Sequence, residues 1–292
     1  MRLQHIIQAV YNEPWLITAG GHASVQRLLE AKMGRARADD DAEPLDASIM
    51  VENPRRDAFV DDNGIGHIHI CGVIGKHLGL IEKSCGNTDV CDVRREFDAL
   101  RQQSAKGIML YVDSPGGTIG GIPEMSRILS DCDIPLYAWT DTIIGSAAYW
   151  LASAAFQIWC TPSSEVGSIG VIYPWIDKSA RWEMEGLTFA PIVNAEGIYK
   201  SAGHGPSFTP EQKEEIQGRV QALFDRFQGF VMARRPMIDS DFMRGQSVMG
   251  FDAVAAGLAD NLGEFEDAYA DLCSASGVFP MSIPDFSAPE KS

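Results

Sequence analysis

A chain of 292 residues with 45% hydrophobic and 22% charged side chains can bury a full core, and it reads as a soluble globular protein. Its 40 acidic residues against 24 basic ones give a formal charge of -16, which repels phosphates and anionic lipid and sets nucleic acid and acidic membranes aside as partners. The six cysteines, Cys71, Cys85, Cys91, Cys132, Cys160 and Cys273, form no C-x-x-C pair and are diluted over a long chain, as expected for reduced thiols in a cytosol-like compartment.

The opening stretch "MRLQHIIQAVYNEPWLITAGGH" has no basic start followed by an unbroken apolar run, and Glu13 and Pro14 interrupt it, so no signal peptide is expected. Two short helical patterns flank Pro14 and Trp15. The stretch "RARADDDAEPLDASIMVENPRRD" is charged and without apolar period, which makes residues 1–57 a helical arm with an acidic linker. The compact domain is expected over 58–276. Within it "GHIHICGVIG" alternates as a strand, "DVRREFDALRQQ" is helical, "KGIMLYVDSPGG" is a strand ending in a glycine turn, "IPEMSRILSDC" is helical and "PLYAWT" is a further strand. This alternation predicts an α/β domain with parallel strands.

Residues 143–164 carry no charge and approach membrane-spanning length. They are poor in leucine, contain Gly145, Ser146, Ser153 and Gln157, and break at Thr161 and Pro162, so a buried helix followed by a short strand is expected, with no membrane anchor. Farther on, "SFTPEQKEEIQGRVQALFDRFQGFVMARR" is the clearest helix. Thr209 and Gln212 fit a capping box and Pro210 the first helical position, while Ile216, Val220, Leu223, Phe224, Phe227, Phe230 and Val231 line one face. That face fits either the chain's own core or a subunit interface. Residues 277–292 read as a flexible tail.

Two stretches carry chemistry. In "YVDSPGG" a strand runs into paired glycines, where backbone N–H groups can point at a ligand with no side chain in the way. In "IIGSAAYW", Ser146 follows a strand and opens a helix, where free N–H groups favour developing negative charge. Parallel strands would bring both to one sheet edge, an arrangement suited to acyl chemistry. A nucleophilic serine needs a base. Among His5, His22, His67, His69, His77 and His204, only His204 lies downstream of Ser146, and His67 and His69 share one strand face. Of the downstream lysines, Lys213 falls in the long helix and Lys291 in the tail, leaving Lys178 and Lys200; Lys200 sits in the glycine-punctuated loop "EGIYKSAGHGPSFTP". Cys85 and Cys91 lack a histidine at ligand spacing, and no metal or cofactor is expected.

The ordered segments "DSPGG", "GSAAYWLASAA", "EVGSIGVI", "GIYKSAGHGPSFTPEQ" and "GQSVMGFDAVAAGLADNLG" resemble the signal peptide peptidase A family of serine peptidases over residues 65–275. The resemblance implies a Clp-protease and crotonase-like fold, a repeated β-β-α superhelix, and a Ser–Lys dyad. Ser146 then matches the nucleophile, Lys200 the general base, Gly117 and the N–H of Ala147 the oxyanion donors, and Ser168 a hydroxyl that orients the lysine. Ala147 and Ala148 stand where the family commonly has two glycines. A lysine acting as base at neutral pH must be desolvated so that its pKa falls from about 10.4 toward 7. Lys200 is therefore expected to be buried beside apolar groups such as Ile198 or Tyr199 and away from Glu196.

The N-terminal "YNEPWLITAGGHASVQRLLEAKM" is similar to bacteriophage head proteins of this family, which implies a prohead protease acting on scaffold, capsid or portal polypeptides in the host cytoplasm or procapsid, and a homo-oligomer. The alternatives are a cytosolic signal-peptide peptidase and a catalytically idle scaffolding subunit. A crotonase-like acyl-CoA enzyme would need a carboxylate near the oxyanion turn and a basic patch, and neither is present in the sequence.

Overall fold

The computed structural model describes residues 14–26, 56–175, 177–202 and 208–280. In chain order these contain β1 (Trp15–Ile17), a helical stretch over 19–26, β2 (Phe59–Val60), β3 (Ile65–Gly75), α1 (Leu80–Ser84), β4 (Thr88–Asp89), α2 (Val90–Gln102), β5 (Gly107–Thr118), α3 (Ile122–Ser130), β6 (Leu136–Thr140) and β7 (Ile143–Gly145). There follow α4 (Ala147–Ala152), β8 (Gln157–Cys160), β9 (Glu165–Gly167), α5 (Ser179–Met184), α6 (Pro210–Arg234), β10 (Ser247–Met249), α7 (Gly250–Ala255), β11 (Asn261–Leu262) and α8 (Phe265–Ala275). The fold is mixed α/β with a curled sheet, as the strand-helix alternation predicts.

β5 is the hinge of that sheet. Its first half, an uninterrupted apolar run buried on both faces, pairs in parallel with β3 and β6; such runs are the mark of a strand covered on both sides. Its second half leaves β6 and pairs with β7, from Ser114 to Ile144, and β7 continues the curl to β9. The C-terminal ends of these parallel strands therefore converge, and the loops that follow them share one edge.

The core lies between the sheet and α2, α3 and α4. Ile68, Ile70, Ile74, Phe97, Leu110, Leu129 and the whole of α4 are buried in it. The uncharged run over 143–164 thus resolves into β7, α4 and β8, a buried helix and a short strand, and no helix among the described residues is long and apolar enough to cross a membrane. α6 begins with the expected capping box, Thr209 Oγ1 accepting the Gln212 N–H and Gln212 Oε1 accepting the Thr209 N–H, both at 3.2 Å. Of its apolar face only Phe227 and Val231 are fully buried; Phe227 stacks on Trp150 at 4.6 Å, while Ile216, Val220, Leu223, Phe224 and Phe230 are half-covered.

The N-terminal region departs from a purely helical arm. Residues 19–26 are helical, but Trp15–Ile17 pairs antiparallel with the end of β5. An aromatic residue and two branched ones favour a pleated, buried surface, and an unpaired edge of β5 supplies it. The acidic linker over 34–57 falls largely outside the described residues, as do His5, His204, Lys291 and most of the tail.

Candidate active site

Ser146 is the single residue between the end of β7 and the start of α4. Its φ of 51° and ψ of -109° lie where only glycine is at ease, a conformation that costs about 1–3 kcal/mol and persists only when the surroundings impose it. The surroundings are identifiable. The Ser146 N–H donates to the Gly167 carbonyl at 2.8 Å, and the Ser146 carbonyl accepts from the Trp150 N–H at 2.9 Å. Both ends of the residue are held, and its side chain is aimed by the backbone. The hydroxyl itself is buried, and its hydrogen-bonding neighbour is the Gly170 carbonyl at 3.5 Å, the outer limit for such a contact. It is therefore not tied up by a strong bond.

Ser168 is a second buried serine with positive φ, 55°, and its N–H donates to the Gln246 carbonyl at 2.7 Å. It follows Gly167, the residue that anchors Ser146, so the predicted nucleophile and the predicted orienting serine belong to one strained junction. The other described non-glycine residues at positive φ are His77 and Ser104, which lie in turns elsewhere.

The glycine pair ends β5 beside this junction. Ser114 Oγ donates to the Gly72 carbonyl at 2.6 Å and accepts the Gly116 N–H at 3.1 Å, which fixes the turn. Gly116 adopts φ +106°, and a Cβ there would stand 3.0 Å from the Gly145 carbonyl oxygen, so this turn abuts the residue preceding Ser146. A Cβ on Gly117 would lie 1.8 Å from the Ile74 carbonyl oxygen. Both positions require glycine because main chains pass too close for any side chain. Ala147 contributes the first N–H of α4, one of the helix-start donors that have no intrahelical acceptor. Ser146, Ala147, Gly117 and Ser168 are thus brought to the same edge of the sheet.

Lys200 is not buried as a base must be. It lies exposed near the end of segment 177–202, with its backbone N–H donating to the Gly197 carbonyl at 2.9 Å, and no hydrogen bond joins it to Ser146 among the described residues. Ile198 and Tyr199, expected to shield it, are about half exposed. The segment is tied to the body at Gln212, whose Nε2 donates to the Ile198 carbonyl at 2.6 Å and to Ser201 Oγ at 3.2 Å. Its apolar side chains, among them Met184, Leu187 and Ile192, face solvent, and none of them covers Lys200 among the described residues. Lys178 is exposed on the same segment and Lys213 on the first turn of α6.

His67 and His69 are both buried in β3, near the opposite end of the strands from Ser146. Cys91 Sγ lies 3.7 Å from His77 Nδ1, and no group of three or more potential metal ligands occurs among the described residues. Sequence reasoning did not anticipate β1 at this site: Leu16 pairs with Gly117 and Ile17 with Gly116. The signal was the short apolar run "WLIT", which a helix-based reading of the arm passed over.

Comparison with known proteins adds the following. The model of peptidase family S49 matches residues 129–278. A putative signal peptide peptidase SppA of Enterococcus faecium is 32% identical over 180 residues, which cover 58% of this chain and 51% of that protein. The head-tail preconnector protein GP5 of Enterobacteria phage P21 is 25% identical over 312 residues, covering 99% of this chain and 61% of that protein. Capsid assembly protease C of Escherichia phage lambda is 26% identical over 284 residues, covering 91% and 64%. The chain therefore spans between half and two-thirds of the length of these relatives. Among solved structures, a ClpP1 mutant of Listeria monocytogenes is 13% identical with a TM-score of 0.45, covering 69% of this chain and 93% of that one.

Proposed function

Because the chain belongs to peptidase family S49, we propose that it is a serine endopeptidase in which Ser146 forms an acyl-enzyme with the substrate and Lys200 moves the proton. Lys200 Nζ, neutral, takes the hydroxyl proton as Ser146 Oγ bonds to the scissile carbonyl carbon. The oxyanion accepts hydrogen bonds from the N–H groups of Gly117 and Ala147. Collapse breaks the C–N bond, with Lys200 returning the proton to the leaving amine, and a water molecule then releases the acyl group by the same route. Ser168 holds the lysine in its working orientation. The observation that carries this reading is the strained conformation of Ser146, locked between β7 and α4 against the glycine turn of β5.

The reading requires segment 177–202 to fold down so that its apolar side chains shield Lys200 from water. A second copy of the chain in a homo-oligomer is the cover we favour for those side chains, since the monomer leaves Ile192 99% exposed. The substrate class we propose is a head-assembly polypeptide, scaffold, capsid or portal. Two phage relatives align over 99% and 91% of this chain, whereas the SppA relative aligns over 58%.

Intact-mass analysis of the protein incubated alone and with casein tests the chemistry. Cleavage by wild type that is lost in both Ser146→Ala and Lys200→Ala is the expected result. Cleavage that survives Ser146→Ala would remove the nucleophile from the proposal, and a folded wild type that cuts nothing and whose Ser146 takes up no fluorophosphonate would favour the idle scaffolding subunit.

A further inference from the structure

The end of β5 that carries the proposed oxyanion donor is not open. β1 lies along it, with Trp15 opposite Thr118, Leu16 opposite Gly117 and Ile17 opposite Gly116. The Thr18 N–H donates to the Pro115 carbonyl at 2.8 Å. Hydrogen-bonded pairs alternate along an antiparallel ladder, so the pair after Thr18 and Pro115 is Leu16 and Gly117, and the Gly117 N–H faces the Leu16 carbonyl. The close approach agrees: a Cβ on Gly116 would stand 2.1 Å from the Leu16 carbonyl oxygen. The other edge of β1 is also paired. The Trp15 N–H donates to the Ile172 carbonyl at 2.8 Å, and the Ile172 N–H donates to the Trp15 carbonyl at 3.0 Å. Ile172 lies four residues beyond Ser168, on the stretch that also holds Gly170 beside the Ser146 hydroxyl.

Residues 15–18 therefore run as the middle strand between the two backbone segments that frame the nucleophile. Their side chains are buried, Leu16 completely. Thr18 reaches the turn before Ser146, where a Cβ on Gly145 would meet Thr18 Cγ2 at 2.7 Å. The helical stretch that follows packs on the same turn, since a Cβ on Gly21 would meet Pro115 Cβ at 2.7 Å.

We propose that residues 15–18 occupy the peptide-binding groove of this same enzyme, with the Leu16 carbonyl at the oxyanion donor and the Leu16 side chain in the pocket for the residue before the cut. The isolated chain is held closed by its own N-terminal strand, and it admits polypeptide substrate when that strand leaves. A substrate adding as a strand meets the same main-chain groups that β1 satisfies now, so the groove takes an extended segment with a leucine-sized apolar residue at the cut. The proposal rests on the peptidase reading above.

Two full-chain variants loosen the strand without touching the catalytic groups: Trp15→Pro loses the N–H to Ile172 together with the buried indole, and Thr18→Pro loses the N–H to Pro115 together with the Oγ1 that accepts the Gly21 N–H. The readout is the rate at which a fluorophosphonate labels Ser146, with thermal melting to confirm folding. Each variant is expected to label at least about fivefold faster than wild type, the factor that one net backbone hydrogen bond alone is worth. A synthetic peptide of residues 13–20 should return both variants to the wild-type rate. If wild type and variants label Ser146 equally fast, the strand does not close the groove, and the peptidase reading stands without it. If none labels while all are folded, the nucleophile assignment fails and the proposal falls with it.

Discussion

At the start of β3, the buried His67 Nε2 pairs with Asp61 Oδ2 at 2.9 Å, the Tyr269 hydroxyl donates to the same oxygen at 2.6 Å, and Asn63 Nδ2 donates to that hydroxyl at 2.8 Å. At the far end of the neighbouring strands, Ser146 sits in a disfavoured conformation with its hydroxyl barely engaged. The first cluster has a histidine and a carboxylate in contact, the look of an acid-base pair, yet its geometry is relaxed and its carboxylate is saturated: Asp61 Oδ1 also accepts the N–H groups of Asn63 and Ile65, both at 2.9 Å. Met109, opposite His67, and Gly117 are eight positions apart on β5, which puts the two regions up to roughly 26 Å from each other. Strain with a loosely held hydroxyl sets apart the end proposed to do the chemistry, and a carboxylate that takes four hydrogen bonds marks the end that holds the sheet together.

Glycine substitutions break this comparison most sharply. In Gly117→Ala the new Cβ would meet the Ile74 carbonyl oxygen at 1.8 Å, a main-chain atom that cannot step aside. The β5 edge must move, taking the proposed oxyanion donor with it, so peptidase activity should fall by about 100-fold or more and stability by about 2–4 kcal/mol. In Gly66→Ala, beside His67, the nearest atom is Leu100 Cδ1 at 2.9 Å, the tip of a flexible side chain. That variant should lose about 1 kcal/mol and keep its activity. Casein cleavage and denaturant melts of the pair check both arms; equal activity in the two would detach Gly117 from the chemistry.

Removing the charge at the relaxed end has a smaller effect, confined to stability. Burial pushes the Asp61 carboxyl up, and the hydrogen bonds from His67, Tyr269 and the Ile65 amide outweigh it, holding the group below the usual aspartate value. A depressed folded-state pKa stabilises the protein above the unfolded value of about 3.9 and is lost as the pH falls through the folded one. Asp61→Asn should therefore cost about 2 kcal/mol at neutral pH, leave peptidase activity unchanged, and differ less from wild type as the pH drops below about 4. A loss of activity without a loss of stability would move function to the wrong end of the sheet.

Much of this arrangement was legible before any coordinates. The apolar runs of β5 and β6, the capping box of α6 and the strand-to-helix step at Ser146 are local patterns, each set by residues within one turn or strand. The glycine pair could be read as a bare backbone edge, although not what passes close to it: Ile74 on one side and Leu16 on the other come from distant parts of the chain. β1 escaped for that reason, since three residues without a partner in view carry no period. The surroundings of Lys200 escaped for a different one. The loop "EGIYKSAGHG" was recognisable, but the burial that would make its lysine a base depends on what covers an exposed segment, and no such cover is present among the described residues.

The strain at Ser146 can be separated from its proposed chemistry by comparing two variants without the hydroxyl. Alanine and glycine at this position both lack the hydroxyl, so neither can form the proposed acyl-enzyme, and any difference between them belongs to the backbone. Alanine inherits the unfavourable φ of 51°, whereas glycine adopts it without penalty. Glycine also loses more freedom on folding, by about 0.5–1 kcal/mol, against the roughly 1–3 kcal/mol of strain it relieves. The balance leaves Ser146→Gly more stable than Ser146→Ala by about 1 kcal/mol, a rise in melting temperature of about 2–4 °C for a domain of this size. The same exchange at an unstrained buried site, Ala138 in β6, should have the opposite sign, because there glycine brings only its entropy cost and a small cavity. If Ser146→Gly melted below Ser146→Ala, the positive φ would not be held against a real cost, and the contrast between the two ends of the sheet would reduce to hydrogen bonding alone.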